Sequence, residues 1–105
     1  MIDEYRTYKV AKGRMSELIE RFQKHTLRLF SRHQIQPVIF SYDESNDMFK
    51  YVVSFPSTEA QKASWESFMN DPERVKIWED SNKNGKLVEG IESLTLESVL
   101  VEDMK

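Results

Sequence analysis

The chain of 105 residues has no cysteine. That absence removes disulfides, thiolate nucleophiles, cysteine-ligated zinc and iron–sulfur clusters together. Glycine and proline are scarce, with three of each. Gly13, Gly85 and Gly90 form neither a phosphate-cradling loop nor a dinucleotide fingerprint. No nucleophile-elbow motif surrounds any serine, and no acids are spaced as a paired-carboxylate site. Long apolar runs are also missing and the mean hydropathy is -0.62, so no membrane span is expected. The opening residues, Met1-Ile2-Asp3-Glu4-Tyr5-Arg6, resemble neither a signal peptide nor a transit peptide, and a cytoplasmic setting is the expectation.

What the chain does contain is 39% hydrophobic and 11% aromatic residues. A chain of this mass can bury about two-thirds of its unfolded surface, enough for one core without staples. One domain over 1–105 follows. Charge is uneven. Residues 1–40 carry eight basic and four acidic groups, whereas 41–85 carry five and nine. A basic third suggests a nucleic-acid surface or a solvated helix face. The net charge of -3 favours the helix face, and no nucleic-acid partner is expected.

Periodicity orders the elements. Residues 2–10 alternate, with Ile2, Glu4, Arg6, Tyr8 and Val10 on one strand face and Asp3, Tyr5, Thr7 and Lys9 on the other. Met15, Leu18, Ile19, Phe22, Thr26, Leu29, Phe30 and His33 follow helical spacing, which predicts an amphipathic helix over 14–33. Glu17–Arg21 and Glu20–Lys24 form acid-first pairs on its solvent side. Strands are predicted over 35–42 and 48–55, joined by a short polar loop as a hairpin. A helix from Ser57 to about Asn70 is followed by a second, capped by Asp71 with Pro72 at its first turn and stopping near Asn84-Gly85. The last strand is predicted over 87–101, with a bulge or bend near Gly90.

The order β-α-β-β-α-β predicts an α+β, ferredoxin-like fold with an antiparallel sheet and helices on one face. Apolar residues nevertheless occur on both faces of the middle strands. An uncovered apolar face of that size marks an interface, and a homodimer through the sheet faces is expected.

Several runs then stand together. Glu4-Tyr5-Arg6-Thr7-Tyr8 and Lys12-Gly13 open the chain, and His25-Thr26-Leu27, Leu29-Phe30 and His33 end the first helix. Trp65, Phe68, Asp71-Pro72-Glu73, Gly85-Lys86-Leu87-Val88 and Ile91-Glu92-Ser93 follow. In this order they resemble the NIPSNAP family of the dimeric α+β-barrel superfamily over nearly the whole chain. Asp3 stands where that pattern usually has tyrosine, and Lys86 where it has proline. The resemblance implies an eight-stranded barrel made by two subunits and a cavity between sheet and helices in each. It implies no reaction, since relatives in the superfamily include cofactor-independent monooxygenases, haem-dependent enzymes and proteins without known activity.

Within that expectation, Arg6, Tyr8, His25, Phe40, Trp65 and Trp78 are the candidate pocket residues. Aromatic rings with a few polar groups suit a small aromatic or apolar molecule, bound or converted in the manner of an oxygenase. His25, at the margin of the buried helix face, has two readings: a general base, or a border histidine bonded to a neighbour. His33 suits a helix C-terminus and is read as structural. Glu4 and Arg6 form either an internal ion pair or part of a ligand site; the pattern leaves open which sheet face they occupy. A non-catalytic binding or structural dimer module is the alternative. Haem on His25 or His33 is a further one. The two histidines are eight residues apart, too far along a helix to share a metal, and no cofactor or metal is expected.

Overall fold

Alternation in the first segment and 3.6-residue spacing in the next set up two layers. In the computed structural model, which describes residues 1–104, β1 (Ile2–Val10) is followed by α1 (Met15–Arg21), a π-helical segment (Phe22–Thr26) and α2 (Leu27–Arg32). The hairpin β2 (Gln36–Asp43) and β3 (Met48–Phe55) comes next, then α3 (Thr58–Met69), α4 (Pro72–Ser81) and β4 (Val88–Glu97). The sheet is antiparallel with order β2-β3-β1-β4, the ferredoxin-like α+β arrangement. Among the described residues no helix is long and apolar enough to cross a membrane.

Local chemistry explains the boundaries. The Ser57 hydroxyl accepts from the Ala60 amide to start α3, and Asp71 accepts from the Glu73 amide to start α4 with Pro72 in its first turn. Gly13 at φ 74° makes the turn after β1 without a Cβ penalty. The bulge near Gly90 is present: Lys9 pairs with Gly90 but Val10 pairs with Val88, leaving Glu89 extra.

Three expectations are corrected. The helix over 14–33 is continuous but carries a π turn at its centre, where the Leu27 amide reaches back five residues to the Phe22 carbonyl. Glu17 pairs with Arg14 at 2.6 Å rather than with Arg21, whose side chain turns inward; Lys24 does pair with Glu20. The last strand ends at Glu97, and Val101–Met104 form a short 3-10 turn.

The core lies between the helices and one sheet face. Val10, Leu18, Leu29, Val53 and Phe55 are fully buried there. Phe22, Phe30, Phe40, Phe49 and Tyr51 pack as an aromatic cluster beside them, with Phe22 and Phe49 centroids 4.9 Å apart. The other sheet face carries no helix of this chain. A row of apolar residues, Ile39–Val52–Tyr5–Leu94, crosses all four strands on it.

Candidate functional site

A partly open chamber of about 290 Å³ lies between the sheet and the helix layer. Tyr8 and Tyr51 form its floor from β1 and β3; Phe30, Trp65 and Phe68 stand over them, and Trp78 with Arg74 comes from α4. The period of two in β1 explains how polar groups reach it. Because Ile2 and Val10 belong to the buried face, Glu4, Arg6 and Tyr8 point to the helices with them.

The polar groups on this floor are bonded in series. Glu4 accepts four hydrogen bonds: Gln61 Nε2 at 2.8 Å and Trp65 Nε1 at 2.7 Å on one oxygen, Arg6 Nη1 at 2.7 Å and Ser93 Oγ at 2.6 Å on the other. Burial alone would raise the pKa of this carboxyl. The bonds from Ser93, Arg6, Gln61 and Trp65 outweigh it and hold the pKa below the usual carboxylate range. Arg6 Nε donates to the Tyr51 hydroxyl at 2.7 Å, and that hydroxyl lies 2.7 Å from the Tyr8 hydroxyl. Burial opposes the charge of Arg6, but Tyr51, Tyr8 and Glu4 together raise its pKa, so it stays cationic. Burial, reinforced by Tyr8, pushes the Tyr51 phenol well above its usual value and keeps it neutral.

Donor counting gives this chain a direction. Tyr51 already accepts from Arg6, and only one proton can sit between the two hydroxyls. Whichever tyrosine donates, one phenolic proton remains uncommitted among the described residues, at a chamber wall made of rings. The arrangement can therefore donate to an oxygen on a bound molecule and stabilise charge there.

Of the candidate residues, Arg6, Tyr8, Trp65 and Trp78 line the chamber together. Phe40 stands behind it, stacked on Tyr51 with centroids 5.5 Å apart, and acts as backing. His25 is elsewhere. It opens on an outer groove between the first helix and α4, among Glu20, Lys24 and Asp80, with its Nδ1 3.3 Å from Arg28. Thr26, not His25, is on the chamber side, as the helical spacing predicts. A border histidine bonded to its neighbour is the geometry observed. His33 bonds Asp71 at 2.7 Å and the Ser67 hydroxyl, tying the end of α2 to the other helices.

Around that contact sits a clamp. Arg28 pairs with Glu73 at 2.7 Å, and Arg32 pairs with both Asp71 and Glu73 at 2.9 Å. Arg28 and Arg32 hold the Glu73 carboxyl down to about 2. The clamp fixes the first turn of α4 and with it Arg74 and Trp78. Sequence reasoning did not single out Tyr51, Phe30 or Arg74. The alternation of Phe49, Tyr51, Val53 and Phe55 was a signal for Tyr51; Arg74, on a short helix with a weak apolar stripe, offered none.

Comparison with known proteins agrees with this fold. A family model described as NIPSNAP matches residues 3–100. The structure resembles that of protein Atu4242 from Agrobacterium tumefaciens, with a TM-score of 0.84 at 16% identity over 96% of each chain. A putative antibiotic biosynthesis monooxygenase from Nitrosomonas europaea shares the fold at a TM-score of 0.65 and 10% identity, covering 95% of this chain and 100% of that one. A point mutant of MhuD, with two manganese protoporphyrin IX molecules bound per active site, does so at a TM-score of 0.62 and 18% identity over 95% of this chain and 96% of its own. No curated protein matches the chain.

Proposed function

The chain belongs to the NIPSNAP family, and from the chemistry of its chamber we propose that it binds a small, planar, largely apolar molecule between sheet and helices. The observation that carries this reading is the open space of about 290 Å³ walled by aromatic rings, with one uncommitted phenolic proton from the Tyr8–Tyr51 pair. That volume lies at the lower edge of the roughly 300–1,000 Å³ of ligand pockets and suits a molecule of about two fused rings. Arg6, held cationic, polarises Tyr51 toward donation. Such a donor grips a carbonyl or phenolic oxygen, and it also favours charge developing on an enolisable aromatic, which an oxygenase-like conversion would use. A purely structural module has no use for this space, since a core of this size fills its interior.

The chain's two tryptophans both line the chamber, so their indole N–H resonances report on it. Titration with 2-naphthol should shift both resonances saturably and leave amides of the outer groove unmoved. Indole resonances that stay fixed up to millimolar naphthol would rule the reading out.

Haem fits the residues poorly. Neither histidine opens into the chamber, and a porphyrin is larger than the space. Haem titration is expected to leave the Soret band of free haem unshifted.

A homodimer through the sheet faces is part of the same proposal. Ile39, Tyr5 and Leu94 on the helix-free face are 57%, 44% and 58% exposed. The radius of gyration is 14.6 Å, against about 13 Å for a compact domain of this length. Sedimentation velocity should give a dimer, and a monomer at micromolar concentration would refute it.

A further inference from the structure

Two arginines beside Trp78, Arg74 on the chamber wall and Arg21 on the outer groove, carry charge that no acid among the described residues pairs. Arg21 is 6% exposed, yet its guanidinium has no ion pair or hydrogen bond among the described residues, and its Nε is an unpartnered buried donor. Arg74, on the chamber wall, likewise has a buried, unpartnered Nε and no ion pair among the described residues. Both guanidinium groups lie against the same indole, 4.2 Å and 4.8 Å from the Trp78 centroid. Cation–π contact offsets some of the lost hydration, but it leaves both buried Nε donors without acceptors among the described residues. Burial pushes the Arg21 pKa down to about 10, with Arg74 adding to the push and the tyrosines Tyr8 and Tyr51 opposing it. The group stays charged at neutral pH nonetheless.

Acids are close by but engaged elsewhere. Glu17 is held by Arg14, Glu20 by Lys24, Asp80 by Lys83, and Glu73 by Arg28 and Arg32. Glu4, the carboxylate bonded to the chamber residues Arg6 and Trp65, is saturated by four donors. A buried Arg21 and a half-buried Arg74 beside one ring cost stability in the free protein. An anion delivered by the ligand removes that cost.

We propose that the molecule bound in the chamber is a planar aromatic carboxylate. Its carboxylate meets Arg74, Arg21 adds charge from one ring further back against Trp78, and its aromatic body lies among Trp65, Phe68 and Phe30. This rests on the ligand-binding reading above and adds the charge and the end at which it binds. Arg74 is the contacting residue. Arg21 acts through the electrostatic field and through the position of Trp78.

The test compares 2-naphthoate with its neutral isostere 2-naphthamide, followed by the two indole resonances and by calorimetry. Wild-type protein should bind naphthoate at least about tenfold tighter than the amide. Arg74→Met should abolish that ratio and Arg21→Met reduce it, while amide binding holds. Lys62→Met, an exposed cation on α3, should leave the ratio unchanged. If the amide binds as well as naphthoate, the carboxylate proposal fails and the chamber reading survives. If neither probe moves the indoles at millimolar concentration, both fail. A ratio that survives Arg74→Met, or that falls equally in Lys62→Met, also overturns the proposal. The free proteins supply a second readout. Arg21→Met should melt at or above the wild-type temperature, whereas a lower melting temperature would make Arg21 a structural strut.

Discussion

On the sheet side of the chamber, Glu4 accepts four hydrogen bonds and Arg6 is paired and bonded to Tyr51. On the helix side, Arg74 at the chamber and Arg21 at the outer groove lie against one tryptophan, Trp78, and among the described residues no acid is paired to either. The same residue type is thus buried in two conditions. The first kind of burial stabilises a fold, because removing one partner strands the other. The second kind is a standing cost that only something outside the chain can remove. Function is therefore to be sought at the charge that the fold leaves unbalanced.

The largest expected effect tests the balanced wall. Glu4→Ala leaves the Arg6 guanidinium, the Trp65 N–H and the Gln61 amide without their acceptor, and should cost about 3–5 kcal/mol in urea unfolding. Tyr51→Phe removes one member of the series and should cost less, about 1–2 kcal/mol, because the Glu4–Arg6 pair survives. Arg21→Met should be as stable as wild type or more so, since it removes a charge without a partner. Equal losses for Glu4→Ala and Arg21→Met would erase the distinction between the walls.

A similar contrast divides the two sheet faces. Leu94→Lys places a charge in the exposed row Ile39–Val52–Tyr5–Leu94. It should weaken the dimer at least tenfold in sedimentation while leaving the monomer's helical circular dichroism intact. A dimer that persists would move the interface elsewhere.

The smallest effect concerns the clamp on α4. The Glu73 pKa is held at about 2 in the folded protein, below its unfolded value. A lowered carboxylate pKa contributes stability that is present above the unfolded value near 4.3 and is lost as pH falls toward 2. Stability should therefore decline below about pH 4.5, and Arg28→Gln with Arg32→Gln should flatten that decline.

Much of this was legible in the residues. Period-two alternation placed Glu4, Arg6 and Tyr8 on one face, and the entry at Pro56-Ser57-Thr58-Glu59 and the cap at Asp71 located both later helices. Gly90 marked the bulge. The apolar residues on both strand faces correctly foretold a row that no helix covers. Three features were not legible. The π turn at Phe22–Thr26 inserts no distinctive residue. Arg21 fits an acid-first pair with Glu17 in the sequence, but Glu17 is taken by Arg14, a competition that depends on how the turn before α1 folds. Arg74 reaches the chamber only because the Arg28–Arg32–Glu73 clamp sets the angle of α4, a tertiary contact across more than forty residues.

The most direct test is a crystal structure of the protein grown with 2-naphthoate. The account predicts ring density among Trp65, Phe68 and Phe30, with the carboxylate against Arg74 and its Nε donor engaged. A chamber filled by its own side chains, or naphthoate bound only in the outer groove beside His25, would contradict it.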